Sequence, residues 1–340
     1  MKVMDKSSLR IVIAGGTGHV GQILAPHFHR TGHSVVVLAR RPPAAPWKVV
    51  HWNGRDLGDW AKEVDGSDVV INLAGRSVDC RYTQAHRQEI MDSRIDSTRA
   101  IGRAIAEASR PPKVWLNAST ATIYRHALDR PMDEITGEIG GSEPGAPGEW
   151  AFSIDVARNW EHEFFEGPTP GTRKIAMRSA IIMGPGPGAA FDVLLKLVRL
   201  GLGGPMGSGR QFVSWIHDTD FVRAIDFLIA EDRLDGPINI CAPNPLPQRD
   251  FMRALRQAYG ARLALPATKW MLEIGAFFLR TETELVLKSR RVVPKRLLEA
   301  GFKFTFADWP NTAKDLVERW RKAASTGCYG IAEMDSRSAH

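Results

Sequence analysis

Short apolar runs rich in β-branched residues recur through the first half of the chain, and each predicts a β-strand. They are LRIVIAG (9–15), SVVVLAR (34–40), DVVINLAG (68–75), KVWLNAS (113–119) and RKIAMRSAIIM (173–183). Several are apolar almost throughout, which is typical of central parallel strands covered on both faces. Ile90, Ile95, Ile101 and Ile105 mark one face of a helix over roughly residues 83–109. The β-α-β-α order predicts an α/β fold with a Rossmann-type doubly wound parallel sheet.

Composition narrows the class of protein. The chain is 44% hydrophobic and 24% charged, which is typical of a soluble globular protein, and its net charge of +7 favours anionic ligands such as phosphates. Cys80, Cys241 and Cys328 are too few and too scattered for a disulfide framework or a metal site, which predicts a cytoplasmic location. The N-terminal residues have no signal-peptide core, and no apolar run reaches the length of about 18 residues that a membrane span needs. Base-stacking aromatics do not interleave with the basic residues, so we expect no nucleic-acid partner.

The run IVIAGGTGHVGQIL carries the clearest chemical signal in the chain. It places three glycines in a G-x-x-G-x-x-G spacing between a predicted strand and a predicted helix, which is the context of a dinucleotide-binding turn. Gly15 permits the tight turn, Gly18 lets the backbone approach a pyrophosphate, and Gly21 lets the helix pack against the strand. The helix N-terminus then presents free N–H groups to phosphate. The predicted cofactor contacts in this run are Gly15, Thr17, Gly18, His19, Val20 and Gly21.

The end of the second predicted strand selects between cofactors. An NAD site usually has an acidic residue there, whereas VVVLARRPP has Arg40 and Arg41. A guanidinium group suits a 2′-phosphate, so we expect NADP(H), with Arg40 the stronger candidate of the two. The simpler alternative is that both arginines are ordinary surface charges. At the end of the third predicted strand, the small or apolar residues Leu73, Ala74 and Gly75 are expected to lie against the same cofactor.

The composition of the chain changes after about residue 184, and this change predicts a domain boundary. Glycine-rich GPGPGAA and LGLGGPMGSGR come first, and QFVSWIHDTD, an amphipathic helix and several short helices follow. We expect residues 9–184 to form the NADP-binding Rossmann domain, with its sheet completed by parts of 211–241. Residues 185–324 are expected to be mostly a small mixed C-terminal substrate domain, and the polar segment 325–340 a disordered tail.

With GGTGHVG, ARR, NLAG and NASTATIY in order, the chain resembles the extended short-chain dehydrogenase/reductases. SRIDSTRAI, MRSAIIMGPGPGA, LGLGGPMGSGRQFVSWIHDTD and VVPKRLLEAGFKF are similar to an atypical branch usually labelled "epimerase family", and the similarity covers roughly residues 9–320. This resemblance implies an NADP-binding Rossmann domain with a small C-terminal domain closing over the nicotinamide end. It also implies that Arg94 faces the cofactor and that Pro185 lies near the nicotinamide. The alternative for Arg94 is a surface ion pair with Glu89 or Asp92.

Standard members of this superfamily use a Ser or Thr, a Tyr and a Lys, and this chain departs from that pattern. Thr120 occupies the hydroxyl position in NASTATIY. In EWAFSIDVARNWE, however, Ala151 and Asp155 stand at the expected tyrosine and lysine positions, and no Tyr-x-x-x-Lys occurs anywhere in the sequence. The usual proton-transfer pair is therefore missing.

Three outcomes follow from the missing pair. Tyr124, Asp155 or Glu149 could replace the proton donor, although Asp155 would need burial to raise its pKa. Water or the substrate could supply the proton, or the protein could bind NADPH without turnover. Simpler interpretations exist for each candidate: Tyr124 as a core aromatic, Asp155 as an ion-pair partner of Arg158, and Thr120 as a strand cap.

The loop 201–209 holds five glycines and is followed at once by Arg210, which is the candidate contact to an anionic group of the substrate. His217 and Asp220 are expected to cap a helix, with His217 at the surface. The densest basic cluster is predicted to be a solvated face, and it comprises Lys288, Arg290, Arg291, Lys295 and Arg296. We expect an atypical NADP(H)-dependent oxidoreductase or epimerase-like enzyme acting on a small molecule, as a monomer or homodimer. The alternative is a non-catalytic NADPH-binding regulator, for example of cell division.

Overall fold

The computed structural model describes residues 8–141, 143, 150–186, 189–265 and 284–326. Glu149, the apolar run WMLEIGAFFL and all but two residues of the predicted tail lie outside these ranges. No helix among the described residues is long and apolar enough to cross a membrane.

A seven-stranded sheet organises the first part of the chain, and it confirms the predicted doubly wound α/β class. Its strands run in the order β10-β6-β5-β4-β1-β2-β3, and the five pairings from β6 to β3 are parallel. The strands are β1 Arg10–Ala14, β2 Ser34–Ala39, β3 Lys48–His51, β4 Val69–Asn72, β5 Val114–Thr120, β6 Arg173–Ser179 and β10 Gly236–Ile240.

Four short strands form two further pairs. Ile181–Met183 (β7) pairs in parallel with Trp215–His217 (β9), and Phe212–Val213 (β8) pairs antiparallel with Leu246–Pro247 (β11). The run RKIAMRSAIIM, predicted as one strand, is therefore split between β6 in the large sheet and β7 in a small one. Strand β3 was missed in the sequence because it is a short edge strand whose side chains are only partly buried.

The helices follow the strands in the expected alternation. The bounds are α1 His19–Arg30, α2 Gln84–Ala106, α3 Trp150–Glu166, α4 Ala190–Arg199, α5 Asp218–Ala230, α6 Gln248–Tyr259, α7 Glu284–Leu287, α8 Lys295–Glu299 and α9 Trp309–Ser325, with 3-10 turns at Asp59–Glu63 and Ala121–Ile123. Helix α2 agrees closely with the helix predicted over residues 83–109, and Thr83 caps it by accepting a hydrogen bond from the His86 amide.

The chain divides into two compact units. The first contains Met1–Ile123, Ile139–Ser179 and Val222–Ile238, and the second contains Tyr124–Glu138, Ala180–Phe221 and Asn239–His340. In the first unit, Val12, Val70, Ile101 and Trp115 belong to a core between the sheet and its helices. In the second unit, a separate core includes Phe191, Trp215, Phe251 and Trp309, with the Phe251 and Trp309 rings stacked 3.8 Å apart.

Candidate functional site

The glycine loop between β1 and α1 has the geometry of a phosphate-binding turn. Gly15 has φ +72°, a left-handed conformation that only glycine adopts without strain. A Cβ on Gly21 would lie 2.3 Å from the Gly16 carbonyl oxygen, so the helix can pack this closely only on glycine. Gly18 is exposed and forms the N-cap of α1 without a side-chain cap, and no acidic residue occupies the first turn. The first helical N–H groups are thus presented to an anion.

This loop lies at the point where the strand order of the sheet reverses. Strand β1 sits between β4 and β2, with Ala14 paired to Asn72 on one side and to Leu38 on the other. In open parallel sheets the ligand-binding crevice is found outside the carboxyl ends of strands at this switch point. A Cβ on Gly15 would be 2.8 Å from the Ala74 Cα, so the loop after β1 and the loop after β4 are in direct contact.

Buried amides hold the loop after β4 in place. The Asn72 side chain accepts a hydrogen bond from the Ala74 amide at 3.1 Å and donates to Asn117 Oδ1 at 2.8 Å. Trp160 Nε1 in turn donates to Thr98 Oγ1 at 3.0 Å, beside the same pair. Leu73, Ala74 and Gly75 follow this anchored residue at the carboxyl end of β4 and range from half-buried to exposed.

Arg40 and Arg41 follow directly after β2, the neighbour of β1. Both side chains are exposed, and the described part of the chain offers neither of them an ion pair. Two exposed guanidinium groups beside the glycine loop provide a cationic surface where NAD-specific sites carry a carboxylate.

Arg94 on α2 is a half-buried cation directed at the loop after β4. Its guanidinium donates to the carbonyl oxygens of Ile90 (2.9 Å) and Arg76 (3.1 Å) and lies over the Trp160 ring. A Cβ on Gly75 would be 3.3 Å from its Cζ. Burial lowers the pKa of Arg94 to about 10, so the group remains charged at neutral pH.

The alternative of a surface ion pair for Arg94 is wrong. Glu89 pairs with Arg76, and Asp92 accepts a hydrogen bond from the Gln88 side chain at 2.7 Å. Among the residues that the structure describes, no carboxylate lies within ion-pair distance of Arg94. A partly desolvated cation in this position favours an anionic ligand at the crevice.

Thr120 ends β5 at the same carboxyl edge of the sheet. Its Oγ1 accepts a hydrogen bond from the Thr122 amide at 3.1 Å, which agrees with the strand-cap interpretation. Because this bond uses the oxygen as acceptor, the hydroxyl proton can still be donated to another group.

Asp155 and Tyr124 do not have the surroundings that a proton donor requires. Asp155 lies on an exposed position of α3, which contradicts the burial that its role as an acid would need. Its predicted partner Arg158 is also exposed, and the described contacts include no ion pair between the two. Tyr124 belongs to the second unit, is 2% exposed and donates its hydroxyl to Asn239 Oδ1 at 2.9 Å. Its surroundings are those of a core residue.

One cluster near the missing tyrosine position was not identified from the sequence. Tyr82 packs edge-on against Phe152, the residue after Ala151, with ring centroids 5.2 Å apart. The Arg87 guanidinium lies 4.7 Å from the Phe152 ring centroid and donates to the Tyr82 carbonyl oxygen. These residues come from the segment before α2 and from the first turns of α2 and α3. The sequence signal that could have identified this cluster is that helices following parallel strands begin at the carboxyl edge of the sheet.

In the second unit, Pro185 follows β7, and the preceding Gly184 packs tightly on a carboxylate. A Cβ on Gly184 would be 2.5 Å from Asp218 Oδ2, and Arg319 holds that carboxylate through two hydrogen bonds of 2.7 Å. His217 was expected at the surface, but it is 1% exposed. Its Nδ1 accepts from the Thr219 amide and its Nε2 lies 3.0 Å from Asp315, so β9, α5 and α9 together bury it.

Arg210 is exposed at the end of the glycine-rich loop, and its amide donates to the Ser208 hydroxyl at 3.2 Å. The prediction that the basic cluster at 288–296 is a solvated face is wrong for two of its members. Lys288 is 2% and Arg290 8% exposed. The substrate role of Arg210 and the cofactor role of Pro185 stay predictions.

Comparison with known proteins identifies the family. A family model described as the NAD dependent epimerase/dehydratase family matches residues 11–241. The chain belongs to this family. A second model, a domain of unknown function (DUF1731), matches residues 267–316. The resemblance to the epimerase-family branch drawn from the sequence motifs is thereby confirmed.

Individual relatives of this epimerase-family chain align over most of its length. The human Epimerase family protein SDR39U1 is 30% identical over 312 residues, which cover 91% of this chain and 100% of the relative. The Epimerase family protein YfhF of Bacillus subtilis is 30% identical over 314 residues, covering 91% of this chain and 98% of the relative.

Solved structures agree with the fold. The crystal structure of human SDR39U1 (isoform 2) with NADPH has a TM-score of 0.79 at 28% identity, covering 91% of this chain and 99% of that one. A nucleoside-diphosphate sugar epimerase from Corynebacterium glutamicum has a TM-score of 0.72 at 25% identity, covering 94% of this chain and 62% of that one.

Proposed function

We propose that this epimerase-family protein is an NADP(H)-dependent oxidoreductase or epimerase-like enzyme acting on a small molecule. The observation that carries the proposal is the pair of exposed arginines, Arg40 and Arg41, next to the glycine loop at the switch point. The NADPH in the crystal structure of human SDR39U1 supports the same cofactor.

The described residues fit this cofactor. The N–H groups at the start of α1 and the exposed Gly18 would hold the diphosphate. Arg94 would add a positive charge from the side of Gly75, and Arg40, with Arg41, would bind the 2′-phosphate. We further propose that Pro185 borders the nicotinamide and that Arg210 binds an anionic group of the substrate.

When bound, the cofactor would supply or accept a hydride at its nicotinamide ring. Thr120 can donate its hydroxyl proton to a substrate carbonyl, because its oxygen already accepts the Thr122 amide. Neither a phenol nor an amine stands at positions 151 and 155, and Asp155 is exposed. We infer that water or the substrate itself supplies the proton of the reaction.

Because the Tyr and Lys of the superfamily pattern are missing, we propose a non-catalytic NADPH-binding regulator as the second candidate function. It is favoured by the same observation, since Ala151 has no ionisable group and Asp155 has no buried environment. In either case we propose a cytoplasmic protein, a monomer or homodimer, whose first unit binds the cofactor and whose second unit binds the substrate.

Titration of the purified protein with NADPH and NADH, followed by a panel of carbonyl compounds added to the NADPH complex, tests the proposal. Tighter binding of NADPH than of NADH supports the cofactor assignment, and equal binding would overturn it. Oxidation of the bound NADPH by a member of the panel would establish an enzyme. Tight binding without oxidation across aldehydes, ketones, quinones and sugar nucleotides would favour the regulator.

A further inference from the structure

The second unit contains a cavity of about 70 Å³ that neither the cofactor nor the candidate residues above account for. Eight of its twelve lining residues are apolar, and they include Met183, Phe251 and Met252. One water molecule needs roughly 10–15 Å³ of cavity volume, so this cavity has room for about five water-sized groups. Its size is that of a short branched or linear aliphatic molecule.

Gln248 gives the cavity an unsatisfied hydrogen-bond donor. Its side chain is 4% exposed, and its Oε1 accepts a hydrogen bond from the Met206 amide at 3.0 Å. The Nε2 of the same amide is buried and has no hydrogen-bond partner in the described chain. A buried donor left without a partner destabilises the folded chain, so the wall favours a ligand that brings an acceptor.

Two buried cations belong to the polar part of the wall. Lys288 and Arg290 both line the cavity, and they are 2% and 8% exposed. Glu284 lies 3.7 Å from the Lys288 ammonium and neutralises part of its charge.

The fourth polar lining residue, Ser214, is already engaged on both sides. Its hydroxyl donates to the Arg290 carbonyl at 2.7 Å and accepts from the Val292 amide at 2.8 Å. The other three polar lining residues, Gln248, Lys288 and Arg290, are a hydrogen-bond donor and two cations.

We propose that this cavity binds a compact aliphatic monocarboxylate. The hydrocarbon body would lie against Met183, Phe251 and Met252, and the carboxylate would accept from Gln248 Nε2 in the field of Lys288 and Arg290. A monoanion fits better than a phosphate, because burying a doubly charged group in a mostly apolar wall carries a larger desolvation cost. The site involves the second unit alone and does not depend on the proposed redox function.

Isothermal titration of the full chain without NADPH tests the proposal, with isovalerate as the probe. Isovaleramide, isopentylamine and inorganic phosphate serve as comparisons of charge and shape. We expect isovalerate to bind at least tenfold tighter than isovaleramide, and the amine and phosphate not to bind. Equal affinity of the acid, the amide and the amine, or no binding of isovalerate by folded protein, would overturn the proposal.

Substitution locates the site. Gln248→Met keeps the side-chain volume and removes the donor, so isovalerate affinity should fall about tenfold or more. Gln88→Met, at an exposed position of α2, should leave it unchanged. Unaltered binding by a folded Gln248→Met variant would contradict the site.

Chain length provides a second test that needs no variant. Affinity of the wild-type protein should peak for acids of four or five carbons and fall for octanoate, because of the cavity size. A steady increase up to octanoate would indicate non-specific surface binding and reject the proposal.

Discussion

At the scale of single residues, Arg40 is the group expected to distinguish the two nicotinamide cofactors. Hydrogen bonds to charged groups contribute about 1.5–3 kcal/mol, which corresponds to a factor of about ten to a hundred in affinity. Arg40→Ala should weaken NADPH binding by that factor and leave NADH binding unchanged, as measured by fluorescence titration. Arg103→Ala, on the exposed face of α2, is the matched control. Equal loss for both cofactors would reject a 2′-phosphate contact.

Substitutions at two glycines of the loop between β1 and α1 should distinguish an effect on cofactor binding from an effect on folding. A methyl on Gly21 would meet the Gly16 backbone at 2.3 Å, so Gly21→Ala should lower the free energy of unfolding by about 1–3 kcal/mol or more. At Gly18, with φ −75°, an added Cβ would lie 3.5 Å from the Gly15 carbonyl oxygen, so Gly18→Ala should fold normally and bind NADPH more weakly. Urea unfolding and NADPH titration of both variants check this. Normal NADPH binding by Gly18→Ala would remove Gly18 from the site.

At the scale of elements, a buried ion pair connects α3 to the sheet. Glu161 on α3 accepts from Arg178 of β6 at 2.7 and 2.8 Å and from the Ser119 hydroxyl of β5 at 2.6 Å. Removing one partner leaves an uncompensated buried charge, so Glu161→Leu should cost about 3–5 kcal/mol in urea unfolding. Glu163→Leu removes the more exposed pair with Arg99 on the same helix and should cost less than about 1 kcal/mol.

A double variant distinguishes the ion pair from simple loss of packing. Arg178→Met in the Glu161→Leu background removes the remaining charge and should recover part of the lost stability. No recovery would mean that the effect of Glu161 comes from shape and not from charge.

The junction of β9, α5 and α9 should make stability depend on pH. Burial lowers the pKa of His217, while Asp218, Asp315 and Arg319 surround the ring and Phe306 stacks on it at 3.8 Å. In the unfolded chain the pKa is near the ordinary value of about 6.5. As the pH falls below about 6.5, His217 therefore binds a proton in the unfolded chain before it does so in the folded chain. This favours the unfolded state, so the stability that is present above that pH is lost.

Unfolding free energies measured at pH 7 and at pH 5.5 should show this loss for the wild-type protein. His217→Asn keeps an acceptor for the Thr219 amide and should reduce the loss between the two pH values. His162→Asn, at an exposed position of α3, should not change it. An identical pH dependence in the His217 variant would show that other groups cause it.

At the scale of the whole molecule, cofactor binding should raise stability through mass action. A ligand that binds only the folded state at a hundred times its Kd adds about 2.7 kcal/mol to the free energy of unfolding. NADPH at that concentration should raise the melting temperature clearly more than NADH at the same concentration, and the difference should disappear in Arg40→Ala. Equal shifts by the two cofactors in the wild-type protein would contradict the proposed specificity.

Much of the first sheet and its cofactor edge could be predicted from local sequence. Continuous apolar runs such as SVVVLAR indicate central parallel strands because both faces of such strands are covered. The glycine spacing constrains the turn after β1, since φ at Gly15 and the packing at Gly21 exclude other residues. The missing Tyr-x-x-x-Lys is a property of the sequence alone, and no arrangement of the fold can restore it.

The burial of ionisable groups was decided only by tertiary structure. His217 and Lys288 look like ordinary polar residues in the sequence, and they become buried because distant segments cover them. The partner of His217 on α9 is 98 residues away, and the alternative partners of Arg94 turn out to be occupied elsewhere. Hydrophobic periodicity reports which face of an element turns inward, but it carries no information about which charged groups the other elements bring to that face.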